Sequence, residues 1–197
     1  GAASAGGMMG SKNGYGPRTP GFLHAPFPYL YRAPICQGKS EEEAAQACLE
    51  YLDWMVNRQS ENALCGIITE PYQGGAGGII PPKSWMEGLF RWAKERDLIF
   101  ILDEVQSSFG RTGKMFCMEH WDIQPDLITL GKGLGSGIPC SAVVGTSEIM
   151  DALPEGSMGS TNGGNPISSI AALTAIEIIE DEGLVDNSAK MGDLFEA

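Results

Sequence analysis

Residues 98–132 read LIFILDEVQSSFGRTGKMFCMEHWDIQPDLITLGK, and this stretch decides the fold. It opens on an apolar run, 98–102, that ends in Asp103-Glu104. It closes on a second run, 126–130, that ends in Gly131-Lys132. Short apolar runs without polar alternation predict strands buried on both faces. A short helix is expected between them, near 116–121. Upstream, LCGIIT (64–69) predicts a strand ending at Glu70, then a Gly-rich loop and a helix near 83–96. Downstream, SAVVG (141–145) predicts a further strand, followed by helices near 147–152, 165–181 and 183–196. Strands alternating with helices imply right-handed crossovers and a parallel sheet, so the fold class is α/β.

Before the first strand, Ser40 followed by Glu41-Glu42-Glu43 predicts a helix start with a capping box. Ala45, Cys48, Leu49, Leu52, Met55 and Val56 then recur at helical spacing. Residues 14–38 hold Pro17, Pro20, Pro26, Pro28 and Pro34 among the aromatics Tyr15, Phe22, Phe27, Tyr29 and Tyr31. Prolines this dense preclude a helix, and the aromatics argue against disorder, so a loop-rich connector is expected. The first ten residues, GAASAGGMMG, carry neither a helix start nor a strand pattern. The last nine, AKMGDLFEA, stop inside a helical pattern, so an internal segment of a longer chain is expected.

Bulk properties narrow the function. The net charge of −12 argues against nucleic acid and anionic membranes as partners, because nothing neutralises phosphates over a patch. No run approaches the ~20 apolar residues of a membrane span. Cys36, Cys48, Cys65, Cys117 and Cys140 are odd in number and form no C-x-x-C pair. A disulfide framework or zinc site is therefore not expected, and a cytoplasmic location fits. His24 and His120 lie far apart and read as a loop residue and a helix-surface residue, so no metal centre is expected.

Ligands of open α/β sheets sit beyond the carboxyl ends of the strands. Glu70, Asp103-Glu104 and Lys132 end three successive strands, which aligns two carboxylate positions and one amine along a single edge. GKGLGSGIP (131–139) surrounds the lysine with glycines that permit a tight turn and close ligand approach. A partly desolvated lysine there could act as a nucleophile, and a surface lysine in a flexible loop fits the local motif equally. Asp103 could hold a cationic ring nitrogen. An apolar strand ending in Asp-Glu is also the Mg²⁺-binding pattern of P-loop ATPases. That reading needs a phosphate loop, and the nearest candidate, SFGRTGKM (108–115), lacks the first glycine and the final Ser/Thr and follows the carboxylates. MGSTNGGNP (158–166), at a helix start, offers backbone amides and the hydroxyls of Ser160 and Thr161 to a phosphate.

EPYQGGAGGIIPP (70–82), ILDEVQSSFGRTGKMF (101–116), PDLITLGKGLGSGIP (125–139) and STNGGNP (160–166), in this order and spacing, resemble the class III (omega-amino acid) aminotransferases of pyridoxal-phosphate fold type I. The resemblance implies a three-layer α/β/α fold with a mostly parallel sheet. Residues 39–197 would be the α/β core of part of the large cofactor-binding domain, 1–38 its connector, with the small N/C-terminal domain lying elsewhere. It implies pyridoxal 5′-phosphate as cofactor, with Lys132 as its Schiff-base lysine and Asp103 as partner of the pyridinium nitrogen. Val105 would pack on the ring and Gln106 would sit near its phenolic oxygen. Thr161, with Ser160 beside it, would bind the phosphate of a neighbouring subunit's cofactor, which implies a homodimer. Glu70 falls on a buried acidic position without a firm role.

The chemistry so implied is transfer of an amino group from an amino acid or omega-amino acid to an oxo acid. Two departures qualify it. Gly75 stands where the 4-aminobutyrate and ornithine branches carry a glutamate, and Met158 where members often have histidine. Two alternatives stay open: a racemase, epimerase or decarboxylase on the same scaffold, and a truncated, non-catalytic dimerisation module.

Overall fold

The computed structural model describes residues 1–8, 10–60 and 63–197. Among these, the strands β1 (Gly66–Thr69), β2 (Ile99–Asp103), β3 (Leu127–Leu130) and β4 (Ala142–Gly145) form one sheet in the order β1-β2-β3-β4. β1 pairs with β2 and β2 with β3 in parallel. β4 pairs with β3 antiparallel, so the sheet is mostly but not wholly parallel, as the family resemblance implies. A parallel return needs a crossover, usually a helix, whereas β3 and β4 are joined only by residues 131–141 with a single 3-10 turn at Lys132–Leu134.

The helices are α1 (Ala2–Ala5), α2 (Glu41–Gln59), α3 (Lys83–Lys94), α4 (Ser147–Met150), α5 (Pro166–Asp181) and α6 (Leu184–Glu196). α2 starts where the capping box places it. Ser40 Oγ accepts the Glu43 amide at 3.3 Å, and Glu43 Oε2 accepts the Ser40 amide at 2.8 Å. The expected short helix near 116–121 is a 3-10 turn, Cys117–His120. α1 departs from the expectation for the first ten residues, and a 3-10 turn at Pro34–Cys36 departs from that for 14–38. In the latter, proline occupies the first position, where its missing N–H costs nothing.

Helices α2 and α3 cover one face of the sheet. Ala45, Cys48, Leu52 and Val56 from α2 meet Trp85, Met86, Leu89 and Ala93 from α3 over Phe100 and Leu102 of β2. The helices approach so closely at Gly88 that an added Cβ would stand 2.6 Å from Leu49 Cδ1. Asp53 ties the pair by accepting Trp92 Nε1–H at 3.0 Å and pairing with Arg96. Asp126 sets the start of β3: its carboxylate accepts from Lys94 Nζ at 2.5 Å and from the Phe100 amide at 2.6 Å. On the other face Ile68 is 44% exposed. α6 packs on the loop after β2, with Val185 beside Gly110 and Ala189 beside Gly113. α5 packs against the Lys132–Leu134 turn, and Ser168 Oγ donates to the Pro139 carbonyl at 3.0 Å. Among the described residues no helix is long and apolar enough to cross a membrane.

Candidate active site

Strand alternation decides which side each strand-end residue takes. Phe100, Leu102 and Glu104 share one parity and are all fully buried on the helix-covered face. Asp103 has the opposite parity and is half-buried. In the register, Thr69 opposes Leu102 and Asp103 opposes Thr129. One step further along β1 therefore brings Glu70 beside Asp103. Glu70, Asp103 and Thr129 form a row across three adjacent strands at their carboxyl ends.

Electrostatics agree with this placement. Burial pushes the Glu70 carboxyl above its ordinary value. The Gly74 amide pulls it back, Asp103 pushes it up, and Lys132 pulls it down. Thus Asp103 and Lys132 both act on Glu70 at this edge. Asp103 Oδ1 is oriented by the Val105 amide at 3.1 Å. Val105 leans on Gly131, where an added Cβ would meet its Cγ1 at 3.3 Å.

Lys132 is exposed and has φ +45°, in the left-handed region that non-glycine residues seldom adopt. The flanking glycines and two turn hydrogen bonds hold it there: the Leu134 amide donates to the Gly131 carbonyl at 3.0 Å, and the Gly135 amide to that of Lys132 at 3.3 Å. Such strain costs about 1–2 kcal/mol and gathers at functional positions. Gln106 is half-buried, and its Oε1 is fully buried without a hydrogen-bond partner. Thr129 Oγ1 is likewise buried and unpartnered. Two orphaned polar atoms beside a carboxylate mark a place where a polar ligand would be held.

Ser160 and Thr161 are not brought to this edge. They lie in an exposed turn before α5. His24 and His120 are also surface residues; His120 Nε2 lies 3.1 Å from both the carbonyl and the hydroxyl of Thr112. Among the described residues no group of three or more His, Cys, Asp or Glu side chains could hold a metal ion.

Sequence reasoning treated Asp103-Glu104 as one carboxylate position, and the structure separates them. Glu104 Oε2 accepts Ser107 Oγ–H at 3.0 Å and the Cys117 amide at 2.8 Å, while Oε1 accepts the Met118 amide at 2.8 Å. Burial raises this carboxyl above its ordinary value, and these donors oppose the shift. Its oxygens are occupied by the loop, which removes the paired carboxylates that an Mg²⁺-ATPase reading needs. Glu104→Ala leaves three donors unpaired, two of them buried and the Met118 amide partly so. It is expected to lower the unfolding free energy of the full-length protein by about 3 kcal/mol, measured by denaturant titration. Thr129 was also missed, because its place beside Asp103 depends on the register between β2 and β3.

A parallel sheet edge that gathers a strained lysine, two mutually interacting carboxylates and a buried carboxamide defines an α/β ligand-binding protein with its site at the strand ends. The family is particular: the model of class III aminotransferases matches residues 1–197, and the chain belongs to that family. It is 38% identical over 186 residues to a probable 4-aminobutyrate aminotransferase of Bacillus subtilis, covering 94% of this chain and 42% of that protein. It is 40% identical over 170 residues to a leucine/methionine racemase of Thermococcus litoralis, covering 86% and 38%. Among solved structures, the omega transaminase of Pseudomonas jessenii in complex with PMP superposes with TM-score 0.87 at 33% identity, covering 98% of this chain and 44% of that one. The chain thus spans about two fifths of the length of its relatives. Class III aminotransferases depend on pyridoxal phosphate, and the α/β fold with its mixed sheet matches that expected from the sequence.

Proposed function

We propose that the protein to which this chain belongs is a pyridoxal-phosphate-dependent aminotransferase that moves an amino group from an amino or omega-amino acid to an oxo acid. The observation that carries this reading is Lys132, held in left-handed backbone on the same edge as Asp103 and the unpartnered Gln106 carboxamide. These residues fit the cofactor. An amine, a carboxylate and a free amide oxygen suit an aldehyde carbon, a protonated ring nitrogen and a ring hydroxyl. When bound, pyridoxal phosphate supplies an electrophilic carbon for amine exchange and a ring that withdraws electrons. Lys132 would hold it covalently and, once displaced by a substrate amine, move a proton at the amine-bearing carbon as a neutral base. Asp103 would keep the ring nitrogen protonated. Val105 would pack on the ring, and Gln106 would receive its hydroxyl. Glu70 supports this edge from β1.

Residues 39–197 belong in this reading to the large cofactor-binding domain, with 1–38 as its connector. The exposure of Ser160 and Thr161 supports a homodimer in which these hydroxyls reach the partner's cofactor phosphate. Five unpaired cysteines favour a cytoplasmic location.

Racemisation is the second reading, favoured by the 40% identity to the leucine/methionine racemase. The two separate in one experiment. The full-length protein is given a single-enantiomer, ¹⁵N-labelled amino acid with an unlabelled oxo acid. Aminotransfer predicts label in the new amino acid with the chirality of the remaining donor kept. Loss of chirality without label transfer overturns the proposal in favour of the racemase.

A further inference from the structure

We propose that Glu70 and Gly74 are positioning residues that form a bracket fixing the Gln106 carboxamide at the site. The inference rests on the reading of Gln106 as a cofactor contact and extends it to residues without an assigned role.

The bracket is built from hydrogen bonds around one glycine. The Gly74 amide donates to Glu70 Oε2 at 3.1 Å. The Gly74 carbonyl accepts the amides of Gly77 and Gly78, each at 3.1 Å. Next to it, Gln73 and Ile79 exchange both backbone hydrogen bonds, at 2.9 and 3.0 Å, and close the loop on itself. Gly74 is therefore clamped on both sides of its Cα, and Glu70 is the side chain in that clamp. The clamped Cα lies directly against the Gln106 carboxamide: a Cβ on residue 74 would overlap Oε1 and Cδ of Gln106. Glycine is required here by contact rather than by backbone angle, since residue 74 is not among the positive-φ glycines.

The consequence for Gln106 is geometric. Its buried Oε1 has no protein partner, so no hydrogen bond sets the direction of the amide group from that end. The flat surface of Gly74 sets it instead, and Glu70 holds that surface in place. Glu70 follows β1 and Gln106 follows β2, so the bracket also joins two strand ends across the site.

The test uses the full-length apoenzyme titrated with pyridoxal phosphate. The readouts are the dissociation constant and the pH midpoint of the bound cofactor's absorbance band, neither of which requires turnover. Gly74→Ala is expected to weaken cofactor affinity roughly tenfold and to shift the band's midpoint, because the displaced carboxamide loses its contact. Gln106→Ala should do the same. The double variant Gly74→Ala with Gln106→Ala should be no weaker than Gln106→Ala alone, because the overlapping partner is gone. Glu70→Ala should give a smaller loss of the same kind, and Glu70→Gln, which keeps an acceptor for the Gly74 amide, should restore affinity. Additive losses in the double variant overturn the proposal. So does a Gly74→Ala protein with wild-type affinity and midpoint, or a Glu70→Gln protein as weak as Glu70→Ala. If Gly74→Ala does not fold, the Glu70 pair decides the matter alone. Failure of the wild-type protein to bind the cofactor would instead sink the underlying reading of the site.

Discussion

Lys132→Ala in the full-length protein is expected to lower turnover by about 10⁴-fold, the upper range for loss of a positioned acid-base group. The unfolding transition should stay where it is. Lys132 is exposed, and its backbone is held by the Gly131 to Gly135 turn rather than by its side chain. Alanine retains the left-handed strain, because it also carries a Cβ. Lys132→Gly removes that strain and should be the more stable of the two by about 1 kcal/mol, although it is equally inactive. Kinetics and denaturant titration on the two variants check both parts. An alanine variant with wild-type turnover contradicts the assignment. Equal stability of the two variants contradicts the strained backbone.

Asp103→Asn carries the second large effect. Asparagine keeps a side-chain oxygen for the Val105 amide, which now meets Asp103 Oδ1 at 3.1 Å, so the local turn should survive. What is lost is the charge. At contact distance a pair of unit charges is worth about 4 kcal/mol at an effective dielectric of ~20, before desolvation. Removing one preorganised electrostatic group lowers kcat by roughly 10²–10³-fold in enzymes generally, and that is the loss expected here. Glu70 supplies an independent check. Asp103 pushes its carboxyl upward, so Asp103→Asn should let Glu70 titrate at lower pH, followed by carbon NMR of labelled glutamate. Turnover close to wild type, or an unmoved Glu70, would break the link between these carboxylates.

Much of the site was legible because it lies at the ends of regular elements. Apolar runs of period one marked β1, β2 and β3, and the residues that follow them are Glu70, Asp103 and Lys132. The capping box at Ser40 and Glu43 marked the start of α2 as well as any tertiary contact could. The alternation Phe100, Leu102, Glu104 was also present in the sequence, and it turns Glu104 inward and Asp103 outward. Less legible were features set by contacts between distant segments. Nothing local says that β4 returns antiparallel, since its direction depends on how the 131–141 connection folds back. Nothing local says that Gly74 faces Gln106, because their approach is created by the pairing of β1 with β2. Lys132's left-handed backbone was hidden too, although the flanking glycines hinted at a tight turn. Ser160 and Thr161 had the composition of a phosphate loop, yet within one chain they stand clear of the strand ends. Composition reports what a loop can bind, and only the packing of the assembled protein reports what reaches it.

The covalent role of Lys132 can be read directly. The full-length protein is incubated with pyridoxal phosphate, reduced with borohydride, digested and mapped by mass spectrometry. The pyridoxyl adduct is expected on the peptide containing Lys132, with none at Lys114 or Lys83 and none in the Lys132→Ala protein. An adduct spread over several lysines, or one that persists at full yield in Lys132→Ala, would contradict the assignment of this strand-end lysine.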